Sequence, residues 1–354
     1  MKDVKEILKT AVEKEASDIF IVAGSPCAFK IKKEIERIDD ERLMPDDCSA
    51  IIKELYTYAP HAHHEHFMET GDDDFSFSIP NVGRFRVNVY LQRNSEAAVL
   101  RVVRFELPKA EDFNIPQSII DLHKEQKGMI LVSGSAGSGK STTLACIIDK
   151  INETRNAHII TIEDPIEYLH SHKKSIVSQR EILHDTQGYL PALRAALRET
   201  PEVILLGEMR DSETIQTAIT AAETGHLLFS TLHTIGAANT IDRIIDAFSN
   251  NQQQIRTQLS MVLKAVISEQ LLPAIDGGMV PAFEIMIVNP AIRSQIRDGK
   301  TYQIDNTIAS NRNTGMVAMD DSIFQLFEQG KITGDVAVQY SLNPEMMKKK
   351  CKII

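Results

Sequence analysis

Eight consecutive residues, 134 to 141, have the composition and spacing of a loop that binds phosphate. They read Gly-Ser-Ala-Gly-Ser-Gly-Lys-Ser, which matches the pattern G-x-x-x-x-G-K-[ST] at every position. Glycines at these positions let backbone N–H groups turn inward around phosphate oxygens. The Lys140 ammonium can reach the β- and γ-phosphates, and the Ser141 hydroxyl is a ligand that Mg²⁺ prefers. The pattern therefore predicts a site for a nucleoside triphosphate and Mg²⁺ rather than a glycine-rich turn with an unrelated lysine.

The loop lies between a short apolar run, residues 129–132, and a segment of helical pattern, residues 142–151. A strand, this loop and then a helix form the context that the motif requires, because the helix directs its positive end at the bound anion. We expect the nucleotide to contact the whole loop and the residue after it, namely Gly134, Ser135, Ala136, Gly137, Ser138, Gly139, Lys140, Ser141 and Thr142.

Two acidic residues, Glu163 and Asp164, come directly after a second apolar run at 159–162, and Pro165 then stops the chain from continuing as sheet. A carboxylate at this point can polarise a water molecule that attacks the γ-phosphate. A solvated loop carboxylate or a helix cap is the alternative. Because the phosphate loop belongs to the same predicted sheet, the sequence favours a catalytic role for Glu163.

A third acidic residue, Glu208, follows the apolar run 203–206 after Gly207. This arrangement resembles a Walker B strand with Glu in place of the usual Asp. The predicted role of Glu208 is to hold Mg²⁺ through the water molecules around the ion. An ordinary carboxylate at the end of a strand is the alternative.

Two histidines, His226 and His233, flank a fourth apolar run. Either could report the state of the phosphates or bridge to a neighbouring subunit, but an isolated histidine is more often a structural residue, so the residues alone leave both roles open. A separate histidine cluster lacks the cysteines or second cluster of a zinc site, which favours a solvated loop or helix end. Its members are His61, His63, His64 and His66.

The four apolar runs alternate with segments of helical pattern from residue 118 onward. This alternation predicts an α/β unit with a parallel sheet that is covered on both faces. Ligands of open α/β sheets bind beyond the carboxyl ends of the strands. We therefore expect the phosphate loop, Glu163, Glu208 and His233 to converge at one edge of the sheet.

The chain before this unit has a different pattern. Residues 1–105 combine helical segments with alternating strands, including one at 85–91, and form a predicted α+β domain of ordinary size. Residues 106–117, which contain two prolines and several charges, are the predicted linker, and residues 118–354 are the predicted second domain. The last part of the chain, from about residue 251, is predicted to be mainly helical, with 257–271 as its clearest helix.

Composition limits the classes of function. The 354 residues have a formal net charge of −10, which disfavours a broad surface for nucleic acid because phosphates attract Lys and Arg. No run approaches the roughly 20 apolar residues of a membrane span. The start lacks the apolar stretch of a signal peptide, and the four cysteines have no zinc spacing. These features favour a cytosolic protein that could dock on a membrane partner.

Taken together, the motifs resemble those of the type IV pilus retraction ATPases of the PilT kind, within the secretion ATPase superfamily. The resemblance covers nearly the whole chain and consists of several boxes in a fixed order. Besides the phosphate loop, the boxes lie at residues 16–18 and 83–88 in the first domain, 162–167 (an Asp box), 195–198, 203–211 (Walker B) and 220–234 (a His box).

The resemblance implies a PAS-like N-terminal domain joined to a RecA-like ATPase core, in a homohexameric ring that binds ATP with Mg²⁺ between domains and near subunit boundaries. It implies that Glu163 is the catalytic glutamate, that Glu208 is the Walker B carboxylate and that His233 contacts the γ-phosphate. His226 belongs to the same His box. An arginine of the first domain would complete the site on closure, and the candidates are Arg84, Arg86 and Arg104.

Such a motor would use ATP to move an inner-membrane platform protein of the PilC kind, so that pilins return to the membrane and the pilus shortens. Retraction is favoured over assembly because the tetracysteine zinc site and the long N-terminal extension of many assembly ATPases are missing. Residues 291–297 resemble the family's retraction motif AIRNLIRE, with departures at Ser294, Gln295 and Asp298, and Phe20 stands where relatives often have His. The alternatives are an assembly, DNA-uptake or type II secretion ATPase, a nucleotide-dependent scaffold without hydrolysis, and a small-molecule kinase.

Overall fold

The computed structural model describes residues 3–31, 34–103 and 107–353. The chain divides into two compact units. The first comprises Met1–Leu107 together with Glu167–Leu169, and the second comprises Pro108–Ile166 together with His170–Ile354. Each unit contains its own β-sheet, and among the described residues the two units share no hydrophobic core.

The first unit combines helices with one antiparallel sheet. In chain order, its elements are α1 (Val4–Glu13), β1 (Asp18–Ile21), β2 (Pro26–Ile31), β3 (Glu34–Arg42), α2 (Pro45–Thr57), α3 (His64–Thr70), β4 (Asp72–Ile79), β5 (Gly83–Gln92) and β6 (Ser95–Val103). The strand order in the sheet is β3-β2-β1-β6-β5-β4, and every neighbouring pair is antiparallel.

Alternation of apolar and polar residues explains why this sheet buries one face. In β5, Phe85, Val87 and Val89 are fully buried, whereas Arg86 between them is exposed. The predicted half-buried strand is therefore confirmed. The three buried side chains share a core with the apolar faces of α1 and α2.

The second unit is larger and alternates strands with helices. Its strands are β7 (Gly128–Gly134), β8 (His158–Glu163), β9 (Ile176–Glu181), β10 (Val203–Leu206), β11 (Leu227–Leu232), β12 (Leu263–Pro273) and β13 (Met279–Ile287). Its α-helices are α4 (Gln117–Ile120), α5 (Lys140–Thr154), α6 (Tyr189–Ala196), α7 (Ser212–Glu223), α8 (Ala237–Asp246), α9 (Gln252–Val262), α10 (Pro290–Arg297), α11 (Ile304–Ser310), α12 (Met319–Glu328), α13 (Gly334–Tyr340) and α14 (Pro344–Cys351).

The second sheet has the strand order β13-β12-β7-β11-β10-β8-β9. The strands from β12 to β9 are parallel, and the edge strand β13 runs antiparallel to β12. The four apolar runs predicted as strands are its central members β7, β11, β10 and β8. Alternate side chains of β7 enter two different cores, Met129 and Leu131 on one face and Ile130 and Val132 on the other. The predicted parallel sheet with both faces covered is confirmed.

The prediction of a single helix over residues 257–271 is wrong. Helix α9 ends at Val262, and the chain continues as β12, which forms hydrogen bonds with β7 on one side and β13 on the other. Ala265, Val266 and Ile267 are all fully buried, because a central strand is covered on both faces. Such a continuous apolar run has no alternation that would distinguish it from a buried helix. Strands β9 and β13 were likewise absent from the prediction.

The segment predicted as the linker contributes to the second unit from Pro108 onward. Ile115 packs in the same core as Ile119 of α4 and Ile147 of α5. Toward the other end of the chain, Met319, Ile323 and Met347 of the last helices pack with Leu272 of β12 in a separate core. Throughout the part of the chain that the structure describes, no helix combines the length and the apolar character needed to cross a membrane.

Candidate nucleotide site

The phosphate loop starts at the carboxyl end of β7 and closes at the first turn of α5. Gly134, Gly137 and Gly139 have positive φ angles of 147°, 74° and 108°, which favour glycine. A Cβ at Gly134 would lie 2.4 Å from the carbonyl oxygen of Glu269 and 2.6 Å from Ser138 Oγ. The glycines therefore permit both the turn itself and the close approach of the loop to β12.

The Lys140 side chain lies inside the loop that it closes. It is 7% exposed, and its ammonium donates hydrogen bonds to the carbonyl oxygens of Gly134 (2.9 Å) and Ser135 (2.8 Å). Ser138 Oγ is buried and has no hydrogen-bond partner among the described residues. An inward ammonium and an unused buried hydroxyl fit a phosphate group, since a phosphate supplies oxygen acceptors to both.

The rest of the loop is accessible. Ser135, Ala136 and Gly137 form its exposed tip, and Ser141 and Thr142 lie half-buried in the first turn of α5. The amino-terminal end of this fifteen-residue helix therefore faces the same space as the loop, where its dipole favours an anion.

The order of the strands brings the other predicted residues to the edge that carries the loop. Starting from β7, the next strands are β11, β10 and β8, whose carboxyl ends lead to His233, Glu208 and Glu163. Neighbouring strands are about 4.8 Å apart, so these three strand ends lie within roughly 15 Å of β7. A triphosphate bound in the loop would therefore meet two carboxylates and an imidazole along one side.

The two carboxylate oxygens of Glu208 contact different side chains, one Arg210 and the other His233. Oε2 accepts hydrogen bonds from Arg210 Nε (2.8 Å) and pairs with Arg210 Nη2 (2.7 Å), and Oε1 lies 3.5 Å from His233 Nε2. The hydrogen bond that Arg210 donates to Glu208 raises the pKa of the Arg210 guanidinium above its ordinary value. With the Ser141 hydroxyl, the Glu208 carboxylate supplies oxygen donors, which suit Mg²⁺.

The Oε1 atom of Glu163 has two hydrogen-bond donors. Oε1 accepts hydrogen bonds from Thr161 Oγ1 (2.6 Å) and Gln179 Nε2 (3.2 Å). Thr161 and Gln179 are directly paired across β8 and β9, and Gln179 Oε1 accepts a further bond from the His170 backbone N–H (2.8 Å). Gln179 is therefore fixed at both ends of its amide, and it restricts the orientation of the Glu163 carboxylate.

Gly207 links three neighbouring strand ends. Its N–H donates to the Ile162 carbonyl (2.8 Å), and its own carbonyl accepts from Thr231 Oγ1 (2.6 Å). A Cβ here would lie 3.1 Å from that Ile162 oxygen and 3.0 Å from the Tyr189 hydroxyl. Burial, followed by the nearby carboxylates, raises the pKa of Tyr189 above its usual range, so this phenol stays neutral. A residue without a side chain thus lets the Glu163 and Glu208 segments approach each other.

His226 lies at the opposite edge of the same sheet. It precedes β11, its carbonyl accepts from the N–H of Gly128 at the start of β7 (3.0 Å), and its Nδ1 lies 2.9 Å from the Ala221 carbonyl. The six residues of β11 place it about 20 Å from the carboxyl edge. Within this chain, the structure does not bring His226 together with His233.

The candidate arginines belong to the first unit. Arg84 lies on β5 and donates to Ser76 Oγ (2.8 Å) and Ser78 Oγ (3.4 Å). Arg86 is exposed on the same strand. Arg104 lies outside the described residues.

The histidine cluster is part of the first unit as well. His61, His63 and His66 are exposed, and His64 Nε2 lies 3.1 Å from Glu96 Oε2. Within residues 3–31, 34–103 and 107–353, no group of three or more His, Cys, Asp or Glu side chains could hold a metal ion.

Sequence reasoning overlooked two residues of the site, Glu269 and Gln179. Glu269 lies on β12 directly behind the phosphate loop and is 1% exposed, and burial raises the pKa of its carboxyl to about 7. The signal for Glu269 in the sequence is a charged residue within an apolar run. A helical interpretation of that run does not place Glu269 beside the phosphate loop. Gln179 gave no signal, because its role depends on the pairing of β9 with β8.

The chain is similar to known proteins over nearly its whole length. Residues 1–316 match the family model described as Type II/IV secretion system protein. The chain is 42% identical over 344 residues to the type IV pilus retractation ATPase PilT of Pseudomonas aeruginosa, covering 97% of this chain and 99% of that protein. It is also 42% identical over 347 residues to a twitching motility protein of Neisseria gonorrhoeae, covering 97% of this chain and 92% of that one.

Among solved structures, a crystal structure of the pilus retraction motor PilT with bound ADP superimposes with a TM-score of 0.90. It is 46% identical in sequence, and the match covers 99% of this chain and 100% of that one. The likeness therefore includes the fold of both units. On the extent of the family match, this chain belongs to the type II/IV secretion system protein family.

Proposed function

We propose that this protein is an ATP-hydrolysing motor that retracts type IV pili. The proposal rests on one observation: Lys140, Glu163 and Glu208 all follow parallel strands of one sheet and lie at the carboxyl edge of those strands. Similarity to a retraction ATPase and to a twitching motility protein over 97% of the chain supports the biological role.

Hydrolysis would proceed as an in-line displacement at the γ-phosphorus. A water oxygen forms the new bond to phosphorus, and the bond to the β-phosphate oxygen breaks with its electron pair, which leaves ADP. Lys140 would exchange the carbonyls of its own loop for the β- and γ-phosphate oxygens. The Glu163 carboxylate, oriented by Thr161 and Gln179, would polarise the water and accept its proton.

The charge of the triphosphate requires further cationic partners. Ser141 and Glu208 would hold Mg²⁺, the hydroxyl directly and the carboxylate through the water shell of the ion, and the ion would neutralise charge on the β- and γ-phosphates. His233 lies 3.5 Å from Glu208 and is half-exposed, so its ring can turn toward the γ-phosphate.

We also propose the assembly in which this chemistry would do mechanical work. Six copies would form a ring in the cytoplasm, docked on an inner-membrane platform protein of the pilus machine, with the pilins as indirect partners. The family membership of the chain supports this arrangement. Size-exclusion chromatography with light scattering on the purified protein, with and without ATP, tests it, and a monomer under all conditions would contradict it.

Phosphate release by the purified protein tests the catalytic part. We expect Glu163→Gln to lower kcat by about 10²- to 10⁴-fold and to leave ATP affinity within a few fold, because the amide keeps the hydrogen bonds but cannot take a proton. Glu213→Gln is a matched control, since Glu213 forms an exposed ion pair with Arg194 and should not affect turnover. Equal turnover in all three proteins would exclude Glu163 as the catalytic base.

Imaging of pili in a deletion strain tests the biological part. Loss of a retraction motor leaves an excess of pili that do not shorten, whereas loss of an assembly motor leaves none. We expect excess pili, with shortening restored by the wild-type gene and not by Glu163→Gln. A deletion strain without pili would show instead that the protein is an assembly ATPase.

A further inference from the structure

A carboxyl group is buried directly behind the phosphate loop. Glu269 of β12 is paired with Gly134 of β7, the first glycine of the loop. A Cβ at Gly139, the last glycine, would lie 3.3 Å from Glu269 Oε2, and the side chain also hydrogen-bonds with Thr143 of α5. The Glu269 backbone therefore contacts the start of the loop, and its side chain lies beside the end of the loop and the helix that follows it.

Glu269 is incompletely satisfied in this position. The residue is 1% exposed, and Oε1 has no hydrogen-bond partner among the residues that the structure describes. Burial without full compensation disfavours the ionised form. It raises the pKa of this carboxyl to about 7, against the opposing influence of Thr143 and of the Lys140 charge. Near neutral pH, Glu269 is therefore poised between its two charge states.

The groups around Glu269 leave Lys140 as its principal electrostatic partner. From α5, the ionisable groups that face it are Lys140 and Cys146, and burial raises the pKa of the Cys146 thiol to about 12, so that this group stays neutral. The register partner on β7 is Gly134, and the one on β13 is Phe283, neither of which has an ionisable side chain. A change in charge at the loop should therefore change the pKa of Glu269, because Lys140 is the only charged group among the described residues that affects it.

Binding of a triphosphate changes that charge. The phosphates bring several negative charges to the far side of the loop and draw the Lys140 ammonium toward themselves. Both effects disfavour an ionised carboxylate behind the loop. By linkage, a group that becomes harder to ionise in the complex takes up a proton on binding.

We propose that Glu269 is a protonation-dependent positioning residue of the phosphate loop, which takes up a proton when the loop binds a nucleoside triphosphate and weakens binding when it remains ionised. The inference rests on the proposed function of the loop as an ATP site. The neutral carboxyl keeps its contact with Thr143, and it removes a buried negative charge that would oppose the phosphates. The affinity for ATP should therefore fall as the pH rises above 7, by up to about tenfold per pH unit.

Isothermal titration calorimetry in buffers of different ionisation enthalpy measures the protons taken up on binding. The parent protein would have Glu163→Gln, so that ATP is bound with Mg²⁺ but not turned over. At pH 7 we expect the parent to take up about half a proton more than the variant that also has Glu269→Gln, because a group at its pKa is half ionised. Between pH 7 and pH 8.5, the affinity of the parent should fall at least fivefold more than that of the Gln variant.

Glu284→Gln, in the same parent, is the matched control. Glu284 is also buried and its pKa is also raised to about 7 by burial, but it accepts a hydrogen bond from Ala237 N at the start of α8 instead of facing the loop. This variant should take up as many protons as the parent. Equal proton uptake and equal pH dependence in the parent and the Glu269→Gln variant would overturn the inference.

Three further outcomes are decided by the parent alone. If Glu269→Gln does not fold, infrared difference spectra of the parent should show a carboxyl group that becomes protonated when ATP is added at pH 7.5, and a spectrum without it would overturn the inference. If the parent binds no ATP at any pH, the proposed function fails together with the inference. Binding with no proton uptake removes the inference and leaves the proposed function intact.

Discussion

Glu163 and Glu208 are held in different ways, although both follow neighbouring parallel strands. Glu163 accepts two uncharged donors on one oxygen, whereas Glu208 pairs with the Arg210 guanidinium and lies beside His233. The two carboxylates, proposed as the base and as the Mg²⁺-holding group, therefore differ in their hydrogen-bond partners.

At the residue scale, the amide of Gln179 should matter for turnover more than for binding. We expect Gln179→Met to lower kcat by about 10- to 100-fold, because Glu163 loses a donor that fixes its orientation, and misplacement of a reacting group is costly. ATP affinity should stay within about twofold. Steady-state phosphate release and calorimetric binding measure the two quantities.

Gln258→Met is the matched control for this change. Gln258 lies on α9 and bonds with Glu223 of α7, away from the strand edge. Its turnover should equal that of the wild type. A Gln179→Met protein with normal kcat would show that the Gln179 amide is not needed to orient Glu163.

Glu284 should make stability depend on pH in a direction opposite to that of a salt-bridged carboxylate. Its folded-state pKa, about 7, lies above the ordinary value of 4.5, so the unfolded chain ionises first as the pH rises. The stability that Glu284 confers is complete below pH 4.5 and is lost between about pH 4.5 and pH 7. The loss amounts to about 3 kcal/mol.

Thermal unfolding of the wild type and of Glu284→Gln, measured by calorimetry from pH 5 to pH 8, isolates this contribution. The wild type should lose stability relative to the variant as the pH increases. The cost of the Gln amide itself is the same at each pH and therefore does not affect the trend. A constant difference between the two proteins across this range would contradict the assignment.

At the element scale, the join between β7 and α5 depends on the space available at each glycine. Gly134 and Gly137 both have positive φ, but a Cβ at Gly134 would meet backbone of β12 at 2.4 Å, whereas nothing lies within 4 Å of one at Gly137. A positive φ alone costs an L-residue about 1–2 kcal/mol. A substitution at Gly137 therefore measures the conformational strain alone, whereas one at Gly134 measures the strain together with a steric clash.

We expect Gly134→Ala to destabilise the protein by more than about 3 kcal/mol, since strain and a backbone clash add together, and to abolish ATP binding. Gly137→Ala should cost about 1–2 kcal/mol and leave the fold intact. Urea unfolding and binding of a fluorescent ATP analogue measure both effects. Equal destabilisation by the two changes would mean that β12 can move away from the loop.

At the scale of the whole molecule, the phosphate loop and the residues Glu163, Glu208 and His233 all belong to the second unit. Its three cores consist of residues from that unit alone. We therefore expect residues 108–354 to fold as a separate protein and to bind ATP within about tenfold of the affinity of the full chain.

Circular dichroism during heating and binding of a fluorescent ATP analogue test this fragment. A cooperative transition and saturable binding are the expected results, and Lys140→Ala in the same fragment should remove the binding without removing the transition. A fragment without a cooperative transition would show that the first unit is needed for folding of the second.

The sequence alone determined the central sheet and the types of polar residue at its carboxyl edge, because both can be recognised from short segments of the chain. Each apolar run is long enough to be recognised as a buried strand, and candidate site residues such as Lys140, Glu163 and Glu208 follow these runs closely along the chain. A parallel sheet brings such strand ends to one edge whatever their exact order. The site could therefore be predicted before the order β7-β11-β10-β8 was known.

The tertiary structure alone decided which residues lie beside that edge. Glu269 reaches the phosphate loop because β12 pairs with β7, and Gln179 reaches Glu163 because β9 pairs with β8. His226 is placed at the far edge by the direction of β11. These positions depend on hydrogen bonds between segments that are distant in sequence, and the pattern of any one segment does not contain its partner.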